Sequence, residues 1–150
     1  MANTAGLNEV EDYIRTRLEN DYPRYTFSEK ALPLLMKTDG SYAVHKFDAV
    51  SEDNTIVASI KCHSWLTSGG HMPAGKIGQI YQSLYYLHLI DTKVKLIIFT
   101  DKNTYDGFQK TFDGKIDREI IVKYYPLSKS LGQLLAIVHN NASREMSAEN

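Results

Sequence analysis

The chain has 150 residues, 43% of them hydrophobic and 23% charged, which is the composition of a globular protein and argues against global disorder. A domain of this length buries roughly two-thirds of the surface its unfolded chain exposes, so one core forms without disulfide or metal staples. Seventeen basic and 18 acidic residues leave a formal net charge of -1, so no global field draws the protein to nucleic acid or to a membrane surface, although a local basic patch stays open.

A single domain is expected over residues 1–150, with flexible ends at 1–6 and 141–150. Asn8 and Glu11 stand at capping-box spacing, and Leu7, Val10, Ile14 and Leu18 follow at helical spacing, so a first helix should run from Asn8 to about Asn20. Residues 31–37 read as a strand with Pro33 at its edge or start, closed by the turn signal Thr38, Asp39, Gly40. The clearest β segment follows. Tyr42 to Val50 leads through Ser51, Glu52, Asp53 and Asn54 into a return strand from Thr55 to Cys62, which predicts a hairpin.

Glycines and Pro73 at 66–75 predict a loop, and Ile77, Ile80, Tyr81, Leu84, Leu87 and His88 then form one helical stripe over 76–90. The near-continuous apolar run Lys95 to Thr100 suits a strand buried on both faces. Residues 101–112 read as a short helix and loop, and 119–125 as another strand ended by Pro126. Ser130 with Gln133 repeats the capping-box spacing ahead of Leu131, Leu134, Leu135 and Val138, the stripe of a last helix. The fold class is therefore α/β, in the order α-β-β-β-α-β-(α)-β-α, with a mixed sheet flanked by helices on both faces.

The lone cysteine, Cys62, forms no intramolecular disulfide, which suits a reducing cytoplasm, and in an apolar strand it reads as a small core residue. No apolar run reaches the ~18 residues of a membrane span. The start has neither a basic nor an apolar leader region, so no signal peptide is expected.

Asp48 lies late in the first hairpin strand, and Ser59, Lys61 and His63 alternate onto one face of the second. The register of a hairpin brings Asp48 beside that group. A carboxylate holding a divalent cation next to a lysine is the beginning of a phosphodiesterase site, because the cation activates water and the ammonium stabilises developing charge. The stretch from Lys46, Phe47 and Asp48 to Ser59, Ile60 and Lys61 resembles the motif of the PD-(D/E)xK nucleases, and the αβββαβ order over residues 8–100 resembles their restriction-endonuclease-like core.

That resemblance implies a metal-dependent DNA phosphodiester hydrolase. Asp48 would be a metal ligand, Lys61 the catalytic lysine and Glu11 a helix-one acid acting as a further ligand for Mg²⁺, with Mn²⁺ as a substitute. Lys76 at a helix start would meet a phosphate with the free N–H groups there. Gln79 and Gln82, sharing a helix face with Tyr86, would complete a nucleic-acid-binding surface.

One position departs from the pattern. Ser59 stands where the family has Glu or Asp, and no acid occurs from Cys62 to Ile90 to replace it. The second acid position is neutral, supplied by Glu11, or absent. A catalytically degenerate relative that binds nucleic acid or a protein partner without cleaving is the alternative reading, and a small α/β interaction module is another. Two-strand cutting by one compact domain would require a homodimer. His63 and His71 fit no standard metal spacing, Ser59 has no His-Asp partner set for nucleophilic catalysis, and Trp65 and the ten tyrosines serve either base stacking or the core.

Overall fold

A computed structural model describes residues 5–62 and 73–148. The first helix, α1 (Ala5–Asp21), buries Val10, Ile14 and Leu18 completely. It starts a turn earlier than the Asn8 capping box predicts, so Asn8 lies inside the helix. A Cβ built on Gly6 would come within 2.6 Å of Val138 on the last helix, α4 (Lys129–Ala148). Close packing at that glycine carries the helix past its expected start, and Glu11 pairs with Arg15 instead of capping.

Strand β1 (Phe27–Met36) is longer than the expected 31–37 because Phe27 anchors its start in the core and its N–H donates to Glu19 Oε1 at 3.1 Å. Pro33 is tolerated because, among the described residues, β1 is an edge strand that pairs with β2 (Tyr42–Ser51) alone. The connecting turn has Gly40 at φ 89°, a left-handed conformation that costs glycine nothing. Asn54, at φ 64°, closes the expected second turn into β3 (Ile56–Lys61), its N–H donating to Ser51 O at 2.9 Å.

The chain then passes through α2 (Ala74–Leu89), β4 (Val94–Phe99), α3 (Lys102–Thr111) and β5 (Ile120–Tyr124). The predicted loop at 66–75 lies largely outside the described residues; Ala74 and Gly75 already belong to α2. The five strands form one mixed sheet in the order β1-β2-β3-β4-β5. The first two neighbours pair antiparallel, and β3, β4 and β5 run parallel.

Parallel pairing explains why β3 and β4 are almost wholly buried and mostly apolar, since both faces are covered. Leu96 and Ile98 pack with α1 and Leu135 of α4 on one face. Ile97 and Phe99 pack with Ile80, Leu84, Phe108 and Phe112 of the α2 and α3 side on the other. His88, placed by periodicity on the apolar stripe, is instead exposed and pairs with Asp117 at 2.9 Å.

Two helix starts differ from or extend the sequence reading. Ser128, not Ser130, caps α4, its Oγ accepting from Leu131 N at 3.3 Å. The same helix continues to Ala148, into the region expected as a tail. Asp101 caps α3, accepting from Thr104 N at 2.9 Å and from Thr104 Oγ1 at 2.8 Å. Asp101→Ala should therefore lower stability by about 1–2 kcal/mol in urea unfolding, because two donors at a helix start lose their acceptor. Among the described residues no helix is long and apolar enough to cross a membrane.

Candidate active site

The sequence places an acid near the end of β2, and the sheet decides where it points. Ser28 pairs with Val50, but Lys30 pairs with Phe47, so Glu29 of β1 faces both Asp48 and Ala49 of β2. The extra residue is a β-bulge at Asp48 and Ala49. Its effect shows in the packing: Phe47 and Val50 both face the α2 side, whereas Ala49 faces the α1 side. Strict alternation would place Phe47 and Ala49 on the same face.

Beyond the pairs Ala49–Ala58 and Val50–Val57 the β2–β3 ladder ends. The side chain of Asp48 takes over, its Oδ2 accepting from Ile60 N at 2.8 Å. The backbone carbonyl of Asp48, at the bulge, accepts from Arg15 Nε at 2.9 Å. Both ends of the residue are thereby held.

Asp48, Ser59 and Lys61 line one cavity of about 250 Å³, shared with His45, Gln82 and Ser83. The carboxylate and the amine thus open onto a common space from adjacent strands. Burial is the main influence on both. It raises the Asp48 carboxyl, against the Ile60 N–H and Lys61, and it lowers the Lys61 ammonium, against the Asp48 charge. Each group is moved toward its neutral form, so each gives up or takes a proton more readily than it does in water. Ser59 is 7% exposed and adds only a hydroxyl.

Glu11 lies outside that cavity. It faces the bulge from α1, where burial and then the Asp48 charge raise its carboxyl, and Arg15 Nη2 holds it at 3.2 Å. Among the described residues no three His, Cys, Asp or Glu side chains converge as a cation site. The donors that remain for a hard cation are the second carboxylate oxygen of Asp48 and the hydroxyls and carboxamide of Ser59, Ser83 and Gln82. Such a set fits Mg²⁺, which keeps several waters and needs only one or two carboxylates.

The helix residues divide. Gln82 reaches the cavity. Lys76 and Gln79 do not line it, and Gln79 is exposed one turn earlier on α2. Tyr86 stacks on His45 with ring centroids 3.9 Å apart and planes 13° from parallel. His63, Trp65 and His71 lie outside the described residues. Cys62 packs in the α1-side core, and burial pushes its thiol up to about 12, so it stays neutral.

His45, Ser83 and Arg15 are the site residues that sequence reasoning missed. His45 is three residues before Asp48, and the whole run His45, Lys46, Phe47 and Asp48 lines the cavity where the β2–β3 ladder ends. Ser83 adjoins Gln82 and carries no motif. Arg15 had a legible signal, its i,i+4 spacing from Glu11. Comparison with known protein families, with curated proteins and with solved structures gives no match.

Proposed function

We propose that the chain is a metal-dependent DNA phosphodiester hydrolase of the PD-(D/E)xK type with a reduced acid set. The single observation that carries this reading is the shared cavity of Asp48 and Lys61 on adjacent strands. The element order and the placement of β3 beside parallel β4 accord with a restriction-endonuclease-like core. Asp48 would hold Mg²⁺ or Mn²⁺, with Glu11 as a further acid that Arg15 holds beside the bulge. When bound, the cation would neutralise charge on the phosphate and acidify water. Lys61 then orients the attacking water and stabilises charge as the bond breaks. Gln82 and Ser83 offer hydrogen bonds to the phosphodiester from α2.

The test is incubation of plasmid and single-stranded DNA with Mg²⁺ or Mn²⁺, alongside Asp48→Ala and Lys61→Ala. Cleavage that persists in both variants would discard the site.

Ser59 and the Arg15-bound Glu11 favour a second reading, a degenerate relative that binds nucleic acid without cleaving it. Ser59→Glu separates the two. It restores a carboxylate in the cavity, and on the hydrolase reading cleavage should rise about tenfold while the half-saturating Mg²⁺ concentration falls. On the second reading wild type shows only salt-sensitive DNA retention.

A further inference from the structure

We infer that Arg15 is a positioning residue, which fixes the Asp48 bulge and holds Glu11 beside it through one guanidinium. The inference rests on the hydrolase reading for its consequence in catalysis, but its structural part stands on the hydrogen bonds alone.

A bulge leaves a backbone carbonyl without its ladder partner. Here that carbonyl belongs to the candidate ligand itself, and Arg15 Nε satisfies it at 2.9 Å. The same side chain donates from Nη2 to Glu11 Oε2 at 3.2 Å and from Nη1 to Asp12 Oδ1 at 2.6 Å. Three acceptors on two elements are therefore joined by one planar, permanently charged group. Its side chain is 13% exposed, so water does not readily replace it.

The positions of the acceptors give the interaction its direction. Asp12 is 74% exposed and contributes little more than an anchor for the far end of the fork. Glu11 is 21% exposed and the Asp48 carbonyl belongs to the sheet, so the inner two contacts set where the helix meets the bulge. On the opposite side, Asp48 Oδ2 meets the Ile60 N–H at 2.8 Å. Arg15 acts on the carboxylate through the peptide of Asp48, not by touching it. A lysine supplies one ammonium and cannot serve an in-plane carbonyl and two carboxylates together.

Arg15→Met and Arg15→Lys test this in the full chain. The Ile60 amide, followed by ¹⁵N NMR, reports the Asp48 Oδ2 hydrogen bond whether or not the protein cleaves DNA. In Arg15→Met that amide should shift upfield and lose hydrogen-exchange protection at least tenfold, while core amides of β4 stay protected. Cleavage should fall at least tenfold, with the Mg²⁺ concentration for half-maximal rate rising severalfold. Arg15→Lys should fall between Arg15→Met and wild type in both readouts. An Ile60 amide unchanged in both variants overturns the inference. If wild type cleaves no DNA, the hydrolase reading fails, and the amide measurement still decides whether Arg15 positions Asp48.

Discussion

Lys61→Ala is expected to reduce DNA cleavage about a hundred- to a thousandfold at saturating Mg²⁺. That is the usual cost of removing one charge donor positioned in a largely desolvated site. Lys61 ends β3 and opens onto the cavity it shares with Asp48, and burial has already lowered its ammonium below the ordinary 10.5. The substitution also removes the cation that favours an ionised Asp48. The Asp48 carboxyl should then titrate at still higher pH, and the acidic limb of any residual pH–rate profile should move upward with it. Single-turnover cleavage of a supercoiled plasmid between pH 5 and 9 measures both effects. A rate within threefold of wild type would remove Lys61 from the mechanism. Lys61→Arg should not restore activity, because the longer planar fork does not place a point charge where the amine stood.

Asp48→Asn should abolish Mn²⁺-dependent line broadening at the site and, at the same time, make the protein more stable near neutral pH. The two expectations have one cause. Asp48 sits in a place where burial raises its carboxyl above the ordinary 3.8. The native state therefore binds more protons than the unfolded state between 3.8 and the raised native value. Stability of the wild type falls as pH rises through that window and stays lower above it. Asparagine keeps an oxygen for the Ile60 N–H but carries no charge.

Its advantage is largest above the native carboxyl value and vanishes below 3.8. A higher melting temperature than that of the wild type is expected near pH 7, with the difference shrinking as pH falls toward 3.8. A variant that melts higher yet binds no Mn²⁺ is the signature of a residue kept for function at a cost in stability. Melting at pH 7 and pH 3.5 tests the sign. A lower melting temperature at pH 7 would mean that the carboxylate of Asp48 serves to hold the sheet together.

The non-cleaving alternative makes a different pattern. Ser59→Glu would then bring no Mg²⁺-dependent activity and would cost stability, since a carboxylate would be added to a cavity already holding a raised one. Asp48→Asn would retain DNA binding while gaining stability. Light scattering of the chain with and without a duplex would show whether two copies assemble around it, as two-strand cutting requires.

Local chemistry determined much of this protein. Mostly apolar segments rich in Ile and Val at 56–60 and 94–99 specify strands, and the stripes Val10, Ile14, Leu18 and Ile80, Leu84, Leu87 specify amphipathic helices. Asn54 and Gly40 mark the turns because only certain residues accept a positive φ. Those signals depend on neighbours in the chain, so they are legible without coordinates, as is the placement of Asp48 and Lys61 on the two strands of one hairpin.

Tertiary structure alone decided the rest. Helix starts shifted where packing outweighed caps, at Gly6 against Val138. The bulge at Asp48 depends on how β1 meets β2, and it sets Phe47 and Ala49 on opposite faces against the period of a regular strand. Glu11 and Asp48 are 37 positions apart, and the guanidinium that joins them reaches between a helix and a strand. Such contacts carry no periodic trace in the sequence, because they are chosen by the fit of whole elements and not by the residues beside them.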